Sequence, residues 1–312
     1  MPEQPLVSII IPTFNRVHLI EETLNSILTQ TYQNWECIVV DDGSSDGSEA
    51  LLNGYIAKDN RFVFFHRPQT KAKGANACRN IGLEKAQGDY IIFFDSDDLM
   101  TKNHLEVKIN AIQNHKCDYV ITKTEFFNSK SKKLKDYYKF EQYKITPYNY
   151  IAQNVNWLTL DVCIIRELTD TIKFNENLQS GQEFNYFSKL THITTNAVYI
   201  DKVVSLRRKH ANSIRGSINS QHKLLSGAFL SKWHTYLDLK EIANHETRVL
   251  LIKKCLFYMA KGRTINYVPN KNSFIKAIFK ELKFKALYFF PFWLSLSLSS
   301  KKGYYFYNQL VN

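Results

Sequence analysis

Short apolar runs alternate with helical stripes over the first hundred residues. Residues 6–12 read Leu-Val-Ser-Ile-Ile-Ile-Pro, the nearly continuous apolar run of a strand covered on both faces. Ile20, Leu24, Ile27 and Leu28 then recur at helical spacing. Cys37-Ile38-Val39-Val40 predicts a second buried strand, 48–57 a helix, 61–66 a third strand, 75–86 a helix closed by Gly88, and 90–94 a fourth strand. Thr101 is placed to cap the helix after it. This alternation predicts an α/β fold, a mostly parallel sheet flanked by helices.

Past residue 115 the rhythm changes. Strands are expected at 119–125, 158–165, 197–200 and 202–206, with a short helix at 183–190. Residues 128–144 are polar and rich in Lys and Tyr, as in an insertion or a mobile loop. From residue 220 the pattern is helical, with segments near 221–239, 246–260 and 273–288. No internal repeat is visible.

Parallel sheets bind ligands beyond the carboxyl ends of their strands. Polar clusters come after three of the predicted strands: Pro12-Thr13-Phe14-Asn15-Arg16, Asp41-Asp42-Gly43-Ser44 and Asp95-Ser96-Asp97-Asp98. Three carboxylates in four residues repel one another unless a cation or a set of donors neutralises them. Hard oxygen ligands suit Mg²⁺ or Mn²⁺, which bind phosphate as well. The same acids also fit a helix cap, and Asp41-Asp42-Gly43-Ser44 also fits an ordinary turn. Lys73-Gly74 opens a helix whose N-terminus suits a diphosphate. Arg79, later in that helix, either holds the acidic cluster or forms a structural ion pair. No G-x-G-x-x-G comes after the first strand and no P-loop sequence occurs, which disfavours a dinucleotide-binding dehydrogenase and a P-loop NTPase.

Charge and cysteines narrow the setting. The net charge is +12. Residues 1–201 hold 21 Lys and Arg against 25 Asp and Glu, whereas the rest hold 20 against 4. A near-neutral body thus precedes a strongly basic tail, suited to an anionic membrane surface or to nucleic acid, or simply solvated. No nucleic-acid recognition motif is present, and no such partner is expected. Five widely spaced cysteines without a C-x-x-C pair argue for small core residues in a reducing compartment rather than disulfides or zinc. The opening Met-Pro-Glu-Gln-Pro lacks a basic-then-apolar leader, so a cytoplasmic location is expected. Residues 283–298 set Tyr288, Phe289, Phe290, Phe292 and Trp293 beside Lys283 and Lys285, either a headgroup-facing segment or a helix packed on the body.

Taken in order, Val7 to Arg16, Ser26-Ile27-Leu28-Thr29-Gln30-Thr31-Tyr32, Glu36 to Asp46, Gly74 to Gly82, Gly88-Asp89-Tyr90-Ile91 and Asp95-Ser96-Asp97-Asp98 resemble the family 2 glycosyltransferases, which have the GT-A fold. The match is close over 6–105 and loose to about residue 215. The resemblance implies a catalytic domain at 1–215, with a nucleotide-binding half at 1–115 and an acceptor half at 116–215. A basic, aromatic-rich helical region, 216–312, would come after it.

It further implies that Pro12, Thr13 and Arg16 line the nucleotide pocket, that Asp42 reads the uracil edge and that Asp95 contacts nucleotide or ribose. Arg79 and Ser96 would complete the donor-binding set. Asp97, the last acid of a D-x-D motif, and His210 would bind Mn²⁺ or Mg²⁺. Glu183 would be the general base, in a Gln-Glu pair where many members have Glu-Asp. The implied activity is inverting transfer of a sugar from a nucleotide diphosphate, a UDP-sugar first, to a hydroxyl of a glycan or lipid-linked saccharide. Surface polysaccharide synthesis on the inner face of the cell membrane is the implied setting. The rival readings are a sugar nucleotidyltransferase, which would need a Gly-rich loop after the first strand, a basic binding protein without catalysis, and a transferase that keeps donor binding alone.

Overall fold

The computed structural model describes residues 4–129, 134, 137–209, 220–298 and 303–311. Along the chain run β1 (Val7–Thr13), α1 (Val17–Leu28), β2 (Trp35–Asp41), α2 (Ser48–Ile56), β3 (Phe62–His66), α3 (Ala75–Lys85), β4 (Tyr90–Phe93), β5 (Leu99–Met100), α4 (His104–His115) and β6 (Tyr119–Phe126). After them come α5 (Pro147–Ala152), a 3-10 turn (Thr159–Asp161), β7 (Val162–Ile165), α6 (Arg166–Thr171), α7 (Gln182–Ile193) and β8 (Ala197–Arg207). The chain continues through α8 (Gln221–Leu239), α9 (His245–Gly262), α10 (Lys271–Leu282), a 3-10 segment (Lys283–Tyr288), α11 (Phe289–Ser297) and α12 (Gly303–Val311).

Two compact units result. The first comprises Met1–Ile145, Asn154–Asn177 and Ile193–His210; the second comprises Thr146–Gln153, Leu178–His192 and Ala211–Asn312.

Among the described residues the eight strands lie in the first unit, in the order β3-β2-β1-β4-β7-β6-β8-β5. β3, β2, β1 and β4 are parallel, as the alternating pattern predicts. β7 enters antiparallel between β4 and β6. β1 is buried along its whole length. α1 turns Ile20, Thr23, Leu24 and Ile27 inward, while Leu28 is exposed rather than part of the stripe. α3 lies close on the sheet because Gly82 has no Cβ; one there would collide with the Ile10 side chain. Asn80 on this helix donates to the Phe174 carbonyl and accepts from the Phe174 N–H, at 2.9 and 2.8 Å, so one amide side chain pins a loop as a strand neighbour would.

Three expectations change in detail. Thr101 does not cap α4. Its N–H and hydroxyl both donate to the Val204 carbonyl at the edge of the sheet, and Asn103 takes the cap position. The segment 158–165 begins with a 3-10 turn instead of a strand because the Asp161 carboxylate folds back to accept the Leu158 N–H, at 2.7 Å. The two strands expected at 197–206 are one, β8, paired with β6 through irregular register.

In the second unit, α8, α9 and α10 bury Phe229, Trp233, Leu251, Cys255 and Phe274. The buried Glu281 carboxylate accepts from the Tyr236 hydroxyl and Arg248 Nε, each at 3.0 Å, and lies 3.2 Å from His245 Nδ1, the multiple pairing that a buried charge requires. All five cysteines are free and buried, in keeping with their reading as core residues. Among the described residues no helix is long and apolar enough to cross a membrane.

Candidate active site

Because β2, β1 and β4 are adjacent and parallel, their carboxyl ends share one rim. The three polar clusters of the sequence therefore meet there. Thr13 ends β1 and is buried, and Asn15, two residues on, has a left-handed backbone, φ 49°.

At the end of β2 the two aspartates have separate tasks. Asp41 builds the turn. One carboxylate oxygen accepts the Gly43 and Ser44 N–H groups, at 2.9 and 2.8 Å, and Ser44 also donates its hydroxyl to Asp41. Gly43 adopts φ 94°, a conformation that suits a residue without Cβ. Ser44 Oγ then accepts the Asn15 N–H at 2.8 Å, and Asn15 Oδ1 accepts the Ser45 N–H at 2.9 Å. The β1 and β2 loops are thus laced together. Asp42 is held by Arg67, whose Nε donates to its carboxylate. The Arg67 guanidinium also donates to the carbonyls of Pro68 and Lys71, at 2.9 and 2.7 Å.

Beyond β4, carboxylate oxygens of Asp95, Asp97 and Asp98 lie within 4.8 Å of one another. Each acid has a different neighbour. The buried Arg79 donates to Asp95 Oδ1 at 2.8 Å. Arg16 Nε stands 3.8 Å from Asp97 Oδ2. Asp98 is buried and accepts the Arg208 N–H at 2.8 Å. Burial drives the Asp98 carboxyl well above the usual range, and Asp95 and Asp97 push it further, against the Arg208 N–H and the Arg207 charge. Asp98 is not a helix cap; it fastens the β8 end to this loop. The Arg208 side chain adds bonds to the Asp97 carbonyl at 3.1 Å and to Glu22 at 2.9 Å.

Three hard oxygen donors so close together fit a divalent cation such as Mn²⁺ or Mg²⁺. Pro12 and Thr13 end β1, Arg16, Asp42, Asp95, Ser96 and Asp97 lie on the loops beyond β1, β2 and β4, and Arg79 lies on α3. His210 lies outside the described residues. Glu183 belongs to the second unit, in the first turn of α7. That helix is anchored by its neighbours: Phe184 stacks on Tyr150 and lies under Lys232, and Asn185 donates to Asp238 at 2.8 Å.

Sequence reading missed Arg67 and Arg208. Arg67 stands one residue past β3, on the same rim as the polar loops, and that position was its available signal. Arg208 sits in a run of cations that reads as solvated surface, and only the sheet pairing brings it to Asp98.

The model of the family described as glycosyl transferase family 2 matches residues 8–166. The chain belongs to this family. An uncharacterized glycosyltransferase of Haemophilus influenzae is 48% identical over 112 residues, 36% of this chain and 44% of that protein. The UDP-Glc:alpha-D-GlcNAc-diphosphoundecaprenol beta-1,3-glucosyltransferase WfgD of Escherichia coli is 34% identical over 169 residues, 54% of this chain and 64% of WfgD. The matches thus span less than two thirds of these relatives' own length. The structure of S. aureus TarS 1-349 in complex with UDP-GlcNAc has the same fold, with a TM-score of 0.67 at 20% identity over 98% of this chain and 90% of TarS 1-349. The mostly parallel sheet flanked by helices, with a helical C-terminal region, is the GT-A arrangement the sequence implies.

Proposed function

We infer that this protein transfers a sugar, with inversion, from a nucleotide diphosphate donor to a hydroxyl of a glycan or lipid-linked saccharide. A UDP-sugar is the first candidate donor. Surface polysaccharide synthesis at the inner face of the cell membrane is the setting this reading proposes. The observation that carries it is the meeting of Thr13, Asp42 and the Asp95–Asp98 carboxylates on one rim of a family 2 fold. WfgD, whose name gives a UDP-sugar donor and a diphosphoundecaprenol-linked acceptor, supports the donor and acceptor classes.

In this reading Asp42, oriented by Arg67, accepts an N–H from the base, and Pro12, Thr13 and Arg16 line the pocket around it. Arg79 pairs with Asp95 and holds it toward the nucleotide, with Ser96 beside it. Asp97, with His210, would hold Mn²⁺ or Mg²⁺, which when bound stabilises negative charge on the departing diphosphate. Glu183 takes the acceptor hydroxyl proton. The freed oxygen forms its bond to the anomeric carbon as the bond to the diphosphate breaks on the opposite side, so a single displacement inverts the centre. The base role of Glu183 rests on the family resemblance.

Thermal-shift measurements with UDP-, GDP- and dTDP-sugars, with and without Mn²⁺, test the donor reading. Donor at roughly 100 times its Kd adds about 2.7 kcal/mol of stability. A UDP-sugar is therefore expected to raise Tm by several degrees when Mn²⁺ is present, and less under EDTA. No stabilisation by any nucleotide sugar would remove the reading, and equal stabilisation under EDTA would remove the metal from it.

Arg67 provides a narrower check. Losing a hydrogen bond to a charged group costs about 1.5–3 kcal/mol, so Arg67→Ala is expected to raise the donor KM roughly tenfold or more, with a smaller change in kcat. Steady-state kinetics read this split; an unchanged KM would take Asp42 out of donor binding.

A further inference from the structure

The helical rod near the end of the chain has two apolar sides, and the bundle uses one. The 3-10 segment Lys283–Tyr288 passes directly into α11. Along this rod Phe284, Leu287, Phe290, Leu294 and Leu298 recur every three or four residues, which sets them on one side. All five are exposed, from 54% at Phe290 to 73% at Phe284. Ala286, Phe289 and Phe292 fall on the other side and are buried. Beside the exposed stripe lies an open groove of ≈ 610 Å³ lined by Ile275, Phe290, Pro291, Trp293 and Leu294. An apolar surface of this extent on a folded chain marks a binding face.

Charge selects the partner that covers it. Residues 271–312 contain seven lysines and one acid, Glu281. Glu281 is buried and bonded to Tyr236, His245 and Arg248, so it offers no negative charge at the surface. Lys271, Lys276, Lys280 and Lys283 are exposed, and Lys271 Nζ stands 5.9 Å from the Trp293 ring centre. A second copy laid on this face would bring like charges together, at a cost to association. Anionic headgroups above acyl chains satisfy lysines and apolar side chains at once.

We propose that this face docks on an anionic lipid bilayer. The rod lies in the plane of the membrane, with Phe284, Leu287, Phe290 and Leu294 in the headgroup–acyl boundary and Lys280 and Lys283 against lipid phosphates. The proposal shares with the sugar-transfer reading only the presence of a membrane.

Flotation of the full chain with vesicles tests it. Co-flotation is expected with phosphatidylcholine–phosphatidylglycerol vesicles and little with phosphatidylcholine alone. Phe290→Ser combined with Leu294→Ser removes apolar side chains that are mostly outside the core. It is expected to weaken flotation by at least about tenfold while Tm holds. Lys280→Ala with Lys283→Ala is expected to weaken it by about fivefold per lysine. Absence of flotation, equal flotation with neutral vesicles, or undiminished flotation of the serine double variant would each overturn the proposal. So would a dimer of the native chain that the serine variant dissociates without any lipid binding. Stabilisation by UDP-sugar is measured on the same variants and is expected to be unchanged. If the native chain floats but no nucleotide sugar stabilises it, the donor reading fails and the membrane face stands.

Discussion

Asp97→Ala is expected to lower metal-supported sugar transfer by about a thousandfold or more, the scale of several kcal/mol that a bound cation supplies to a developing charge. The variant is expected to fold. It loses the Asp97 carboxylate and its 3.8 Å contact with Arg16, but keeps the Arg79–Asp95 pair, the Asp98 carboxylate that accepts the Arg208 N–H and the Asp97 carbonyl that accepts from Arg208 Nε. Nucleotide release measured across a Mn²⁺ titration, alongside a thermal melt, separates lost chemistry from lost structure. Turnover close to that of the native chain at saturating Mn²⁺ would end the assignment of Asp97 as metal ligand.

Glu183→Gln should leave donor binding intact and reduce transfer by about a hundred- to ten-thousandfold, the usual range for a general base. The substitution keeps the shape of the side chain and removes the charge. Glu183 stands in the first turn of α7, where the helix dipole accommodates a negative side chain. The helix itself is held by Phe184 and Asn185, which the substitution leaves alone. Calorimetric titration with UDP-sugar and a transfer assay on the same preparation decide the matter. Retained transfer would move the base elsewhere, and lost donor binding would give Glu183 a different role.

Much of this site is legible in the linear chain because buried parallel strands announce themselves as apolar runs, and the residues just past each run land on one rim. Thr13, Asp42, Asp95 and Asp97 are legible in that way. The division of labour within each cluster is not. Asp41 and Asp42 are chemically identical neighbours, and only the turn shows that Asp41 is consumed by the Gly43 and Ser44 N–H groups while Asp42 meets Arg67. Asp98 reads as a cap until the sheet brings Arg208 beside it from far downstream. β5 is two residues long and carries no periodicity at all. In the C-terminal region every aromatic looks alike in sequence; burial divides Phe289 and Phe292 from Phe284 and Phe290, and that division separates packing from surface.

The antiparallel entry of β7 beside β4 has a consequence for how the chain assembles. β3, β2, β1 and β4 come from consecutive βα units and can pair as soon as they leave the ribosome. One side of β4 must then wait for residues 162–165, and such distant pairing forms late. Until it does, the Tyr90–Phe93 strand presents an open, strongly apolar edge, the kind of template on which nascent chains aggregate. Fragments ending before β7 should therefore be poorly soluble even though they contain Asp42, Asp95, Asp97 and Asp98, and refolding yields should fall with protein concentration until β7 has closed that edge.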